Sequence, residues 1–212
     1  MKKSIPAYLI NSLTSDLQEG RSVADSFFDQ IFPPDIQKLS NTHWTPVEVA
    51  QESIKLLSFK ERTKILDVGS GSGKFCLVSA LTRKDSQLFG VEKRDYLNLV
   101  AREIAQDLKL NNVTFLDGDA FSLNWNEFDA FYFFNPFWEN HLFPHQRIDT
   151  NLPVKKEEFE HYINQVTLRL EKLKKGTHVV TYHGFGGKFP PSYECVHFKT
   201  CGSDQIKLWI KR

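Results

Sequence analysis

The sequence predicts an α/β fold: a doubly wound, seven-stranded, mostly parallel sheet with helices on both faces and a C-terminal antiparallel hairpin. Three observations carry this. Five short apolar stretches, at 63–68, 87–91, 113–116, 128–134 and 177–182, alternate with stretches of helical periodicity. Two more β-prone stretches, 193–199 and 205–210, are joined only by Cys201-Gly-Ser-Asp204, too short a link for anything but an antiparallel pair. A glycine-rich loop connects the first strand to the helix after it, the junction at which open α/β sheets bind ligands.

In chain order, residues 1–43 read as a helical extension. Phe27, Phe28 and Ile31 give it an apolar face, and Pro33-Pro34 break it. The remaining domain is expected over 44–212. Thr45, Pro46 and Glu48 have the spacing of an N-cap, a first-turn proline and a capping box. They predict a helix over 46–57 with Val47, Ala50, Ile54 and Leu57 inward. The strand at 63–68 lacks clean polar alternation, so both of its faces are covered. A helix follows from about Phe75 to Thr82. Another, Asp95 to Leu110, turns Leu97, Val100, Ala101, Ile104 and Leu108 inward and ends at Asn111-Asn112. The segment 138–154 is a long polar loop. Helix 155–173 buries Phe159, Tyr162, Ile163, Val166, Leu170 and Leu173, and Gly176 stops it. A flexible Gly184-Phe-Gly-Gly187 loop separates the fifth strand from the hairpin.

Composition narrows the function classes. The formal charge is +1, so the whole chain does not advertise a polyanion partner. The last 58 residues carry 11 basic and 6 acidic residues, read here as ordinary surface charge. Cys76, Cys195 and Cys201 form no C-x-x-C pair, which suits a reducing cytoplasm. No signal peptide and no membrane span are expected. Pro144 argues against His141 and His145 acting as helical metal ligands, so no metal is expected. Glu139, His141 or His145 is a candidate proton acceptor. His178, His183 and His197 read as structural.

The candidate site residues stand at strand ends. Asp67 precedes Gly69, Gly71 and Gly73, whose missing Cβ atoms permit a tight turn and close approach to a ligand. The free N–H groups of the next helix favour an anion. Glu92 closes the second strand 23 residues after Gly69, the place of a ribose-binding carboxylate in nucleotide-binding folds. A salt bridge to Lys93 or Arg94 is the plainer alternative. Asp119 ends the third strand, where a local turn cap is the alternative to ligand binding. Asn135-Pro136-Phe137-Trp138 ends the fourth.

The D-x-G-x-G-x-G loop resembles motif I of the class I S-adenosylmethionine-dependent methyltransferases. In the dinucleotide pattern G-x-G-x-x-G the third glycine would fall at Lys74. Gly118-Asp119-Ala120 is similar to that family's third motif, and Asn135-Pro136-Phe137-Trp138 to the (D/N/S)-P-P-(Y/F/W) corner of its amino-group methyltransferases, with Phe137 in place of the second proline. The aromatic ending is also distantly similar to the non-SET histone-lysine methyltransferases. The resemblance implies S-adenosyl-L-methionine as cofactor. It implies cofactor contacts from Thr45, Asp67, Gly69, Ser70, Gly71, Gly73, Glu92, Lys93, Asp119, Ala120 and Asn135. It further implies an acceptor held by Asn135, Pro136, Phe137 and Trp138. The expected reaction is methyl transfer to an amine nitrogen of a protein side chain or small molecule, with nucleic acid less favoured. The alternatives are an NAD(P)-dependent oxidoreductase on the same Rossmann-like fold and a non-catalytic cofactor-binding module.

Overall fold

The computed structural model describes residues 5–136, 148 and 156–212. Its strands are β1 (Lys64–Val68), β2 (Gln87–Glu92), β3 (Val113–Asp117), β4 (Ala130–Phe134), β5 (His178–Tyr182), β6 (Tyr193–Cys201) and β7 (Asp204–Lys211). They form one seven-stranded sheet in the order β3-β2-β1-β4-β5-β7-β6. All adjacent pairs up to β5 are parallel, and β7 runs antiparallel to both β5 and β6. This is the predicted architecture.

The helices are α1 (Ala7–Gln18), α2 (Asp25–Phe28), α3 (Pro34–Gln37), α4 (Ser40–His43), α5 (Val47–Leu57), α6 (Lys74–Thr82), α7 (Asp95–Asp107) and α8 (Lys156–Lys172). Alternation along the strands divides the core in two. Ile65, Tyr132 and Val180 face a cluster built with α1, α5, α6 and α7. Leu66, Phe131, Phe133 and Val179 face the opposite cluster, with Val166 and Leu170 of α8 and with Trp125. Side chains of the N-terminal extension, among them Leu9, Leu13, Leu17, Phe28 and Ile36, belong to the first cluster. The Phe75 and Tyr132 rings stack at 3.8 Å between α6 and β4.

Three local expectations are corrected. Helix α5 begins at Val47, and Thr45 is not its cap: the Val47 N–H donates to Asp25 Oδ1 at 2.9 Å, and the Thr45 hydroxyl is buried against Tyr132 Oη at 3.2 Å. The capping carboxylate therefore comes from α2, which lies far upstream in the chain. Helix α7 ends at Asp107 rather than Leu110. Lys109 takes a left-handed φ of 54°, and the Leu110 and Lys109 N–H groups donate to Ala105 and Gln106. That is a Schellman closure with lysine where glycine usually stands. The Gly184–Gly187 loop is pinned rather than loose: Phe185 is fully buried between Phe133 and Phe189.

Lys74 binds the extension to the sheet. Its side chain is 1% exposed, and its Nζ donates to Asp25 Oδ1 at 2.6 Å and Ser40 Oγ at 2.9 Å and pairs with Asp29 Oδ1 at 2.6 Å. Removing one partner of a buried pair leaves the other charges uncompensated. Lys74→Ala is expected to cost about 3–5 kcal/mol in urea unfolding; a loss below about 1 kcal/mol would show that the two aspartates are hydrated without it.

Candidate functional site

The sheet order reverses beside β1, so a crevice opens at the carboxyl ends of β1 and β4. A cavity of about 550 Å³ lies there, a size suited to a small organic ligand. Its walls come from the ends of four strands, from the β6–β7 turn and from residues 41–46.

The floor is the loop after β1. Gly69, Gly71 and Gly73 have φ of 75°, 54° and 77°, a region open to glycine at no steric cost. Close packing adds a second constraint. A Cβ at Gly69 would stand 2.8 Å from Pro136 Cβ, and one at Gly71 would stand 2.5 Å from the Trp44 ring. A Cβ at Gly73 would stand under 3 Å from Phe115 and Ala101, so this glycine serves helix packing and does not line the cavity.

Glu92 is 5% exposed and lines the cavity. Its Oε2 accepts the Gly71 N–H at 3.1 Å, and its Oε1 accepts the Arg94 N–H at 3.0 Å and an Arg94 guanidinium N–H at 2.9 Å. The salt bridge weighed from the sequence therefore exists, with Arg94 rather than Lys93. It holds the carboxylate at the mouth of the glycine loop.

Asn135 is the most constrained polar residue. Its φ is 41°, and its N–H donates to Gly184 O at 2.9 Å, tying the end of β4 to the end of β5. Its side-chain Oδ1 is buried and meets no partner among the described residues. An orphaned acceptor of this kind costs about 1–3 kcal/mol. Pro136 locks the turn against Gly69. Phe137, Trp138, Glu139, His141 and His145 lie outside the described residues.

Asp67 sits beneath the loop rather than on its surface. It is 4% exposed and accepts the Cys76 thiol at 3.6 Å. Burial raises its carboxyl to about 8; the thiol contact opposes the shift and the Glu92 charge adds to it. Ser70 is also buried, with its Oγ unpartnered among the described residues. Lys93, Asp119 and Ala120 stand beyond the cavity wall. Asp119 accepts the Phe121 N–H at 2.9 Å and pairs with Lys93 Nζ at 3.0 Å, so the local turn cap is present. Of the eleven expected cofactor contacts, Gly69, Gly71, Glu92 and Asn135 line the cavity, as does Pro136.

Several wall residues had no motif to announce them. Asn41, Thr42, His43 and Trp44 form one side, with the Trp44 indole N–H anchored on Ile36 O at 2.9 Å. Arg94, Tyr182, His183 and Ser203 complete it. His183 follows β5 directly, and its position past a strand end was the one available signal. Its Nδ1 lies 3.1 Å from Asp204 Oδ2 and its Nε2 3.1 Å from Ser203 Oγ. Among the described residues no helix is long and apolar enough to cross a membrane, and no cluster of three or more potential metal ligands occurs.

Comparison with known proteins agrees with this geometry. A family model described as "Methyltransferase domain" matches residues 59–177, more than half of the chain. The chain belongs to this methyltransferase domain family and has the fold of its class I, S-adenosylmethionine-dependent members. An RNA methyltransferase from Salinibacter ruber, solved with S-adenosyl-L-homocysteine, is similar with a TM-score of 0.58 and 20% identity, over 79% of this chain and 92% of that one. TrmN from Thermus thermophilus gives 0.60 and 19%, over 82% of this chain and 52% of that one. A putative methyltransferase from Escherichia coli, yhhF, gives 0.54 and 14%, over 78% and 85%. At such identities the likeness is one of fold. No curated protein matches the chain.

The buried Asp67 makes stability pH-dependent with a definite sign. Its folded pKa lies above the unfolded value, so its contribution is full below about pH 4 and is lost as pH rises through 8. The slope approaches ~1.4 kcal/mol per pH unit between those limits. Asp67→Asn is expected to remove this slope. Urea unfolding from pH 5 to 9 should therefore show the variant gaining on the wild type as pH rises; parallel curves would mean that Asp67 ionises freely.

Proposed function

We propose that this chain transfers a methyl group from S-adenosyl-L-methionine to an amine nitrogen of an acceptor, with residues 44–212 as the transferase domain and 1–43 packed against it. The observation that carries this reading is the buried, unpartnered Asn135 Oδ1 beside the glycine loop. When bound, the cofactor supplies an electrophilic methyl group on a sulfonium.

The residues present fit that group. The glycine loop leaves its backbone open to close approach, and Glu92 offers a fixed carboxylate for ribose hydroxyls. Asp119 and Ala120 stand past the end of β3, where they would meet the adenine if Lys93 gave up its ion pair. The Asn135 side-chain oxygen accepts an N–H of the target amine and fixes the direction of its lone pair. Pro136 and the left-handed backbone hold that oxygen still. Orientation of this kind, with exclusion of water, is worth ~7–11 kcal/mol of barrier in well-placed systems. His183, backed by Asp204, stands on the same wall and can take a proton from the amine. The corner suits an acceptor that offers N–H groups; a hydroxyl acceptor would leave Oδ1 with one donor at most.

Thermal unfolding beside S-adenosylhomocysteine and NAD tests the cofactor. At 100 times its dissociation constant the former should add ~2.7 kcal/mol and raise the midpoint by roughly 5–10 °C, with no shift from NAD. A shift with NAD alone would sink the reading. Asn135→Ala should retain the S-adenosylhomocysteine shift while tritiated methyl incorporation into RNA, protein and metabolite pools falls about 10²-fold. Unchanged incorporation would remove Asn135 from the chemistry.

A further inference from the structure

A second cavity, of about 420 Å³, opens on the other side of the β5 terminus. It is separate from the site above but meets it at the chain: His183 lines the first and Gly184 lines the second. The Asn135 N–H donates to that same Gly184 carbonyl. The two spaces therefore adjoin along the chain at 183–184, and the Gly184 carbonyl fixes the corner where the acceptor amine is held.

The lining has two components. The first is flat and aromatic. Phe189 stacks on Trp209 at 4.1 Å with planes 10° apart, and the Trp209 indole N–H donates to Thr181 Oγ1 at 3.3 Å. The second is cationic. Lys188 and Lys207 line the cavity, and neither has an ion pair among the described residues. Glu194 is engaged with Arg212, while Asp204, which contacts His183 Nδ1, also lines the cavity and offsets one of the two lysines. A local excess of one cation thus borders a closed aromatic stack.

The sheet face continues this pattern outward. Across the β6–β7 pair Phe198 stands opposite Lys207, and its ring is 66% exposed. Cys195, opposite Trp209, is also exposed on this face. The exposed phenylalanine and the lysine set one ring and one cation side by side on the sheet. Bases stack on such rings whatever their sequence, and lysines meet the phosphates between them.

We propose that this cavity and the β6–β7 face bind a single-stranded nucleic acid, with one base stacked on the exposed Phe198 ring and its phosphates at Lys188 and Lys207. This deepens the proposed function and rests on it: the amine offered to Asn135 is then the exocyclic amino group of the neighbouring base. Such a base presents planar N–H donors to an amide oxygen without first losing a proton. The even charge of the whole chain hides the site, because it averages away a local excess of one cation.

Fluorescence anisotropy with a labelled mixed-sequence RNA octamer, and separately with the DNA octamer, tests the assignment on the full chain. The wild type should bind at low salt. Lys188→Glu with Lys207→Glu should weaken binding at least tenfold and flatten its logarithmic salt dependence by about 1.4. Phe198→Ser, on an exposed ring, should weaken it several-fold with the fold intact. Weaker binding of DNA than RNA would identify contacts to the 2′-hydroxyl, and equal binding a strand read through bases and phosphates; either supports the site. No octamer binding, equal binding by the double-lysine variant, or displacement by inorganic polyphosphate at equal charge would overturn it. S-adenosylhomocysteine stabilisation, measured on the same samples, separates the two proposals. Its presence without octamer binding leaves the methyl-transfer reading standing and this one refuted. Octamer binding without it does the reverse.

Discussion

The site depends on one buried ammonium. Lys74 Nζ is withdrawn from water and held by Asp25, Asp29 and Ser40. Desolvating such a charge is expensive, and an apolar side chain of similar volume would often serve stability as well. Its value lies in what it joins. Lys74 is the first residue of α6, immediately after the glycine loop. Asp25 and Asp29 belong to the extension, and the same Asp25 oxygen caps α5. One cation thus sets the positions of the loop, of the α5 entrance and of the segment 41–46 that walls the cavity. Trp44 then fits against Gly71 with no room for a methyl group between them. A purely hydrophobic joint would bring the same elements together without fixing their register so narrowly.

A second constraint acts at the strand ends. The order β2-β1-β4-β5 places the termini of β1 and β4 side by side, so the loops that leave them must diverge within two residues. Gly69 turns one way at positive φ, and Asn135 turns the other, also at positive φ but with a side chain. Such a conformation costs of order 1–3 kcal/mol for a residue that is not glycine. The Gly184 carbonyl offsets part of that by taking the Asn135 N–H. What the strain achieves is direction. In extended backbone a strand residue's side chain points above or below the sheet, whereas here Asn135 lines the crevice between the loops.

These two constraints explain which features were legible in the sequence. The strand and helix alternation is a local pattern and stands where it was expected; the glycine loop, Glu92 and the Asn135-Pro136 corner are local patterns too, and residues of all three line the cavity. The features that escaped prediction are long-range. The α5 cap comes from Asp25, and the Lys74 partners lie in a segment read only as apolar packing. In the sequence Lys74 was informative only as a missing glycine; in the fold its long side chain is what the early third glycine makes room for. The α7 terminus was missed for a different reason. A Schellman closure normally announces itself by glycine, and here Lys109 accepts the left-handed position instead. Asp119 and Lys93 show the reverse case. Both satisfy a plain local role, a turn cap and an ion pair, and a pattern that fits a ligand fits those roles equally well.

Charge reads differently at the two scales. Summed over the chain, 27 basic and 26 acidic residues cancel and argue against a polyanion. In the fold the cancellation is local and uneven. Asp129 pairs with Lys60 and Lys174 together, and these contacts outweigh its burial and hold its carboxyl at about 2. Asp25 and Asp29 are spent on Lys74. Acids consumed in the core and at the cavity walls cannot screen lysines elsewhere, because fields from exposed charges fade within about 8–10 Å in physiological salt. The field that an approaching ligand meets is therefore set by the unpaired cations nearest the carboxyl edge of the sheet. A near-zero net charge constrains the solubility of such a molecule far more than it constrains its partners.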